Sequence, residues 1–223
     1  MNNDFSTIIL AGGKGQRMGG QDKGLVLYRG HPLIHRSVRL ASQCTGAVII
    51  SANRNIMQYE AFADVVVEDN TPNYGGPLLG IQACASRVLT DYALIIACDL
   101  PGLTTDLVQF LQRALLDQAH QVDAVVYRQD GFLQCGLIAV KTLALASIDS
   151  ELEQDQRSVR KWLESLSLLV LATPSQTLIP QTILCPRHSL KRDRQRQQDE
   201  KTAHCAAWFR PNANRKNIDA IRR

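Results

Sequence analysis

No pair of cysteines in this chain has the spacing of a metal knuckle or a redox motif. Cys44, Cys84, Cys98, Cys135, Cys185 and Cys205 contain no C-x-x-C pair and no zinc spacing. At 223 residues the chain is also too long for a small disulfide-stapled secreted scaffold. Buried or incidental thiols are expected. No run approaches the roughly 18 apolar residues of a membrane span. The start, Met1 to Asp4, carries neither the basic n-region nor the apolar h-region of a leader. The expectation is a cytoplasmic protein without a membrane partner.

The body of the chain also lacks a surplus of positive charge. The formal net charge is +4, but from Pro174 onward there are 11 Lys and Arg against 4 Asp and Glu, leaving 14 against 17 before it. A mildly acidic body argues against a nucleic-acid partner.

What is present suits one compact core: 45% of the residues are hydrophobic. Apolar runs at Ser6–Leu10, Ala47–Ser51, Asp64–Val67, Tyr92–Ala97, Ala124–Tyr127, Phe132–Val140 and Leu168–Leu171 read as strands. Between them, Leu33, Ile34, Val38, Leu40 and Ala41 form one helical face. Leu107, Phe110, Leu111, Ala114 and Leu115 form another. Such alternation predicts an α/β fold with a mostly parallel central sheet covered by helices. The alternation stops near residue 173. We expect a domain over 1–173 and a basic tail over 174–223, poorly ordered around Arg187–Lys201.

In open sheets of this class, ligands gather at the carboxyl ends of the strands. The first strand ends in Leu10-Ala-Gly-Gly-Lys-Gly-Gln-Arg-Met-Gly-Gly-Gln-Asp-Lys23. Its glycines let backbone amides approach an anion, and Lys14, Arg17 and Lys23 can neutralise phosphates. Walker A needs Ser or Thr after its Lys, where Gly24 stands, and the dinucleotide fingerprint needs Gly where Met18 stands. The remaining alternative is a basic surface loop.

Other strand ends carry polar chemistry. Ser51-Ala-Asn53-Arg54 follows the second strand and Glu68-Asp69 the third; Asp99-Leu-Pro101 follows the fourth. Asp99, at the end of a buried strand, suits Mg²⁺ held against a triphosphate. As a helix cap it would compete with Thr104 and Thr105, which are better placed. Asp69 suits either a cap on the following turn or, as a carboxylate, the paired N–H groups of guanine.

The pattern Leu-Ala-Gly-Gly-x-x-x-Arg-Met-Gly-Gly-x-Asp-Lys resembles the signature of nucleotidyltransferases of the MobA family, which includes molybdenum cofactor guanylyltransferase. Asn53 and Arg54, Gly75-Gly-Pro-Leu-Leu-Gly80, and Cys98-Asp-Leu-Pro101 are similar to further family motifs. The resemblance implies a three-layer Rossmann-like fold, GTP and molybdenum-molybdopterin as substrates, Mg²⁺ as cofactor, and molybdoenzymes or their chaperones as recipients. It implies a triphosphate held by Leu10, Ala11, Gly12 and Gly13 with Arg17 and Lys23. Ser51, Asn53 and Asp69 would lie at the guanine, and Asp99 would carry the metal.

Three departures stand out. Ser51 replaces the family's Asn, the Gln134 segment lacks its Pro, and Asn212 and Asn214 lack the Thr-Pro that follows in the family. Arg157, Arg160 and Lys161 read as pterin-phosphate contacts or as a solvated helix face. Two other readings remain: transfer to a sugar or alcohol phosphate, and a GTP-binding accessory protein without turnover.

Overall fold

Alternate side chains along each strand go to opposite faces, and in this chain both alternates are apolar, so each strand must lie between two layers. A computed structural model describes residues 2–13, 21–69 and 75–172. Seven strands make one sheet: β1 (Asn2–Leu10), β4 (Thr45–Ser51), β5 (Val65–Val67), β6 (Tyr92–Ala97), β7 (Ala124–Gln129), β8 (Phe132–Lys141) and β9 (Leu168–Ala172). Their order is β5-β4-β1-β6-β8-β7-β9. Only β8 runs against the rest, pairing antiparallel with β6 and with β7. All seven expected strands are present.

The alternation divides the core into two faces. Ile8, Ile49, Ile95, Val126 and Ile138 face α3 (Pro77–Ala85), α5 (Ser147–Glu153) and α6 (Val159–Ser165). On the other face, Ile9 and Ile50 meet α1 (Leu33–Cys44), while Leu94, Ile96, Val125 and Leu137 meet α4 (Thr105–Asp117). The result is the expected three-layer sandwich. Trp162 of α6 is wholly enclosed and donates its indole N–H to Ser147 Oγ at 3.0 Å.

The inward stripe of α4 differs from the sequence reading. Leu107, Leu111 and Leu115 point inward, but Phe110 is 54% exposed and Val108 and Gln112 are buried. Both sets keep the 3.6-residue period, but the buried face is rotated toward 108 and 112, which turns 110 out to solvent. Gln112 is admitted because its Nε2 donates to the Cys44 carbonyl at 3.2 Å. Thr104 caps this helix, accepting from the Leu107 amide at 3.4 Å.

One small ribbon was not apparent in the sequence. Strands β2 (Leu27–Tyr28) and β3 (His31–Pro32) pair through Arg29 and Gly30, both with positive φ, as a two-residue hairpin requires. The remaining helix, α2 (Ile56–Tyr59), is a single turn after β4.

From β1, the chain goes to β4 and β5 on one side and returns to β6 on the other. The sheet therefore changes direction of winding between β1 and β6, leaving a crevice above their carboxyl ends.

Candidate functional site

The first turn after β1 is fixed by the neighbouring strand. The amides of Ala11 and Gly12 both donate to the Ser51 carbonyl at 2.9 Å, and the Cys98 amide donates to the Leu10 carbonyl at 3.2 Å. Expected as phosphate donors, the amides of Ala11 and Gly12 are instead engaged with β4. Ala11 is buried in the core and does not face the crevice.

A cavity of about 170 Å³ opens beside this turn, lined by Leu10, Gly12, Gly13, Ser51, Asn53, Asp69, Gly76, Pro77 and Gly80. Six of the residues expected at the nucleotide thus share one wall. Asn53 extends over Gly12, where a Cβ would sit 3.5 Å from its Nδ2. Its Oδ1 accepts the Asp69 amide at 2.9 Å. Asp69 Oδ1 is buried and has no hydrogen-bond partner. A carboxylate oxygen in that state creates demand for a donor, which a ligand N–H can meet.

Ser51 is buried, and its Oγ would lie 2.5 Å from a Cβ on Gly80. Gly80, in α3, is glycine because β4 and α3 close to that distance. Pro77 occupies the first turn of α3 and Gly76 has φ 96°, a left-handed conformation that suits glycine.

One strand over from β1, Asp99 follows β6 and is 1% exposed. Its Oδ2 forms an ion pair with Lys23 Nζ, and its Oδ1 has no hydrogen-bond partner. The loop carrying it is held from behind: Ser37 Oγ donates to the Cys98 carbonyl at 3.3 Å, and Arg36 Nη2 to the Pro101 carbonyl at 2.9 Å. Burial pushes the neighbouring Cys98 thiol up to about 12. That leaves it a protonated, enclosed thiol rather than a nucleophile.

Lys23 opens a 3-10 turn, Lys23–Leu25, capped by Asp22, whose carboxylate accepts from the Gly24 amide at 3.2 Å. The cap fixes the backbone from which Lys23 reaches Asp99. Arg17, the other cation expected at the triphosphate, lies outside the described residues, as does the tail with Asn212 and Asn214.

On the far rim, Arg157 meets the entrance of α3. Its Nη1 would lie 3.3 Å from a Cβ on Gly75, and its carbonyl 3.6 Å from one on Gly76. Arg160 is paired with Glu164 at 2.9 Å, one helical turn on. Gln134 turns its Nε2 back to the Phe132 carbonyl at 3.2 Å. Arg157 thus stands at the entrance of α3, with its Nε also paired to Asp155 Oδ1 at 3.0 Å, while Arg160 is held along its own helix.

A larger concavity of about 380 Å³ lies between α1 and the start of α4, lined by His31, His35, Arg36 and Arg39 among others. Among the described residues, none of those expected at the site borders it. Burial, reinforced by His31, Arg39 and Arg36, holds the His35 imidazole below its ordinary value. Among the described residues no group of three or more His, Cys, Asp or Glu is arranged to hold a metal unaided. No helix among them is long and apolar enough to cross a membrane.

Six of the expected residues line one cavity and Asp99 lies near it, whereas Asp22, Gly24 and Tyr59, which pack around Lys23, were not among the expected residues. Asp22 and Gly24 lay in plain view within the glycine-rich signature. Tyr59 had no such signal, because it reaches the loop only through the fold.

Comparison with known proteins supplies the lineage. Residues 7–170 match the model of the MobA-like NTP transferase domain. A protein of Pseudomonas fluorescens named molybdenum cofactor guanylyltransferase is 36% identical over 170 residues, covering 76% of this chain and 84% of the relative. One of the same name from Cupriavidus metallidurans is 39% identical over 170 residues, covering 74% and 83%. Among solved structures, the molybdopterin-guanine dinucleotide biosynthesis protein A of Archaeoglobus fulgidus superposes with a TM-score of 0.60 at 17% identity, covering 97% of this chain and 96% of that one. At that identity the superposition speaks to fold alone.

Proposed function

The chain belongs to the family of MobA-like NTP transferase domains, and from that premise we propose that it transfers GMP from GTP to molybdenum-bound molybdopterin, forming the guanine dinucleotide cofactor and pyrophosphate. Its relatives carry the name of that activity over most of their length. The observation that carries the reading in this chain is a pair of unsatisfied buried carboxylate oxygens, Oδ1 of Asp69 and Oδ1 of Asp99. One follows β5 and borders the cavity at the strand ends, and the other follows β6, three strands along the sheet, beside a lysine.

Each oxygen fits one part of the substrate. A carboxylate accepts two parallel hydrogen bonds from the N1–H and N2–H of guanine, and adenine offers no such pair. Asp69, oriented through the Asn53 bond to its amide, is therefore the base reader. Asn53 acts chiefly by holding Asp69, and Ser51 by closing the wall behind the base.

Nucleotidyltransferases of this family work with a divalent metal, and Mg²⁺ is our assignment here. The residues fit one: Asp99 supplies a buried carboxylate with an unsatisfied oxygen, and a cation bound largely by phosphates and water needs only one or two protein oxygens. When bound it would offset the charge developing on the α-phosphate and the leaving pyrophosphate.

The transfer itself forms a bond between a pterin phosphate oxygen and the α-phosphorus and breaks the bond to the β-phosphate. No enzyme nucleophile is needed, so the protein contributes position and charge. Lys23 is the cation this chain aims at the reacting phosphates from the Asp99 side, and Arg17 is assigned the same task from the glycine loop. The acceptor phosphate is assigned to the mouth where Arg157 meets Gly75 and Gly76.

The domain over 1–173 carries all of these described groups, and we assign the activity to it, with 174–223 as an appendage. The product gives the direct test. Incubating the full chain with GTP and molybdenum-loaded molybdopterin should yield a species with the mass of the guanine dinucleotide. GTP binding without any such product would favour an accessory role, and pyrophosphate release from a triphosphate only when a sugar or alcohol phosphate is supplied as acceptor would favour that alternative.

A further inference from the structure

Asp22 collects an unusual number of donors for a residue next to a functional lysine. Its side chain is 7% exposed. Oδ1 accepts from the Gly24 amide at 3.2 Å and from the Tyr59 hydroxyl. Oδ2 accepts from Asn55 Nδ2 at 2.9 Å and lies 3.6 Å from Arg54 Nε. The same guanidinium donates through Nη2 to the Gln21 carbonyl at 2.8 Å. Apart from the local Gly24 amide, every donor among the described residues comes from the short stretch 54–59 that continues β4 past Asn53.

Tyr59 is fully buried. Burial, and then its bond to Asp22, holds the hydroxyl far above its ordinary pKa, so it remains a donor at any working pH. Its ring is also the reason residue 24 is glycine: a Cβ there would overlap the Tyr59 hydroxyl and come within 3.0 Å of Cε1. Lys23 therefore sits between two anchored neighbours. Asp22 is tied by its carboxylate, Gly24 is pressed on the tyrosine ring, and the lysine side chain is directed at Asp99.

We propose that Tyr59 and Asp22 are positioning residues that aim the Lys23 ammonium, acting on nucleotidyl transfer only through that lysine. The role rests on the transferase reading of the site, while the aiming of Lys23 rests on the geometry alone. Through residues 53 to 55, the stretch that orients Asp69 at the base also orients the lysine at the phosphates. One loop serves both halves of the nucleotide.

The test uses Tyr59→Phe in the full-length chain, which removes one hydroxyl and keeps the ring against Gly24. A hydrogen bond to a charged group is worth about 10–100-fold in a rate or equilibrium constant. We expect kcat to fall by about tenfold or more with KM for GTP within about twofold, a split that general loosening of the fold would not give. In a Lys23→Ala background the same substitution should add no further loss, because its effect passes through the absent ammonium. An equal further loss in that background would overturn the proposal.

A second readout does not depend on turnover. Acetylation of lysines by acetic anhydride, followed by peptide mass spectrometry, should label Lys23 several-fold faster in Tyr59→Phe, with the exposed Lys161 as internal reference. Unchanged labelling of Lys23 would overturn the aiming role. Faster labelling in a chain that releases no pyrophosphate would uphold the aiming and reject the transferase reading. Should Tyr59→Phe not fold, Asn55→Gly keeps the left-handed backbone at φ 55° while removing one Asp22 donor, and the same increase is expected.

Discussion

Asn53 fixes the backbone of Asp69: its Oδ1 accepts the Asp69 amide at 2.9 Å, and the carboxylate so anchored keeps a buried Oδ1 with no hydrogen-bond partner. In the proposed reading, Asn53 does for Asp69 what Asp22 does for Lys23.

Replacing Asp69 by Asn keeps size and shape but puts an N–H donor where guanine presents its own. The preference for GTP over ATP, taken as a ratio of kcat/KM, should fall by about one to two orders of magnitude, because a site built to pair a polar group discriminates through the cost of leaving it unpaired. An unchanged ratio would remove Asp69 from the base.

Asp99→Ala should lower turnover at saturating GTP and Mg²⁺ by about a thousandfold or more, on the order of 4 kcal/mol of transition-state stabilisation. GTP affinity, measured by calorimetry, should weaken far less, since the cavity wall around Asp69 is untouched. Full Mg²⁺-dependent turnover in the variant would show that the metal is held elsewhere.

Gly80→Ala brings a Cβ to 2.5 Å from Ser51 Oγ, and overpacking of that kind costs about 1–3 kcal/mol. A melting temperature lowered by several degrees is expected. Adding Ser51→Ala removes the clashing oxygen and should restore most of the loss, leaving a Cβ contact near 3.4 Å. Purely additive losses in the double variant would mean that the strain lies elsewhere.

The buried thiols give a pH-dependent prediction. Burial raises Cys44 to about 11 and Cys84 and Cys98 to about 12, from 9.0. Native protein at pH 8 should therefore resist iodoacetamide at these three positions and react there once unfolded in urea. The linkage has a definite sign: above pH 9 the unfolded thiols lose protons that the native ones retain, so stability should fall as pH rises through 9 toward 12. Chemical denaturation at pH 8 and pH 10 checks the direction.

Much of this was legible along the chain because parallel sheets demand continuous apolar runs, and all seven sheet strands announced themselves that way. Asp99 was legible for the same reason, as a charge at the end of Ala93–Cys98. What did not show was partnership. The amides of Ala11 and Gly12 looked available until β4 placed the Ser51 carbonyl beside them. Phe110 looked like core by its helical spacing, although its side of the helix faces solvent. Tyr59 drew no expectation at all, and only the fold brings its hydroxyl to Asp22 across 37 residues. Contacts between distant segments leave no local periodicity to read.

The most direct measurement of the central claim is pyrophosphate release by the full-length chain with each of the four nucleoside triphosphates, with Mg²⁺, in the presence and absence of molybdenum-loaded molybdopterin. The expected result is release from GTP alone, dependent on the pterin and lost in Asp99→Ala. Release from CTP in preference to GTP, or nucleotide binding with no release under any condition, would contradict it.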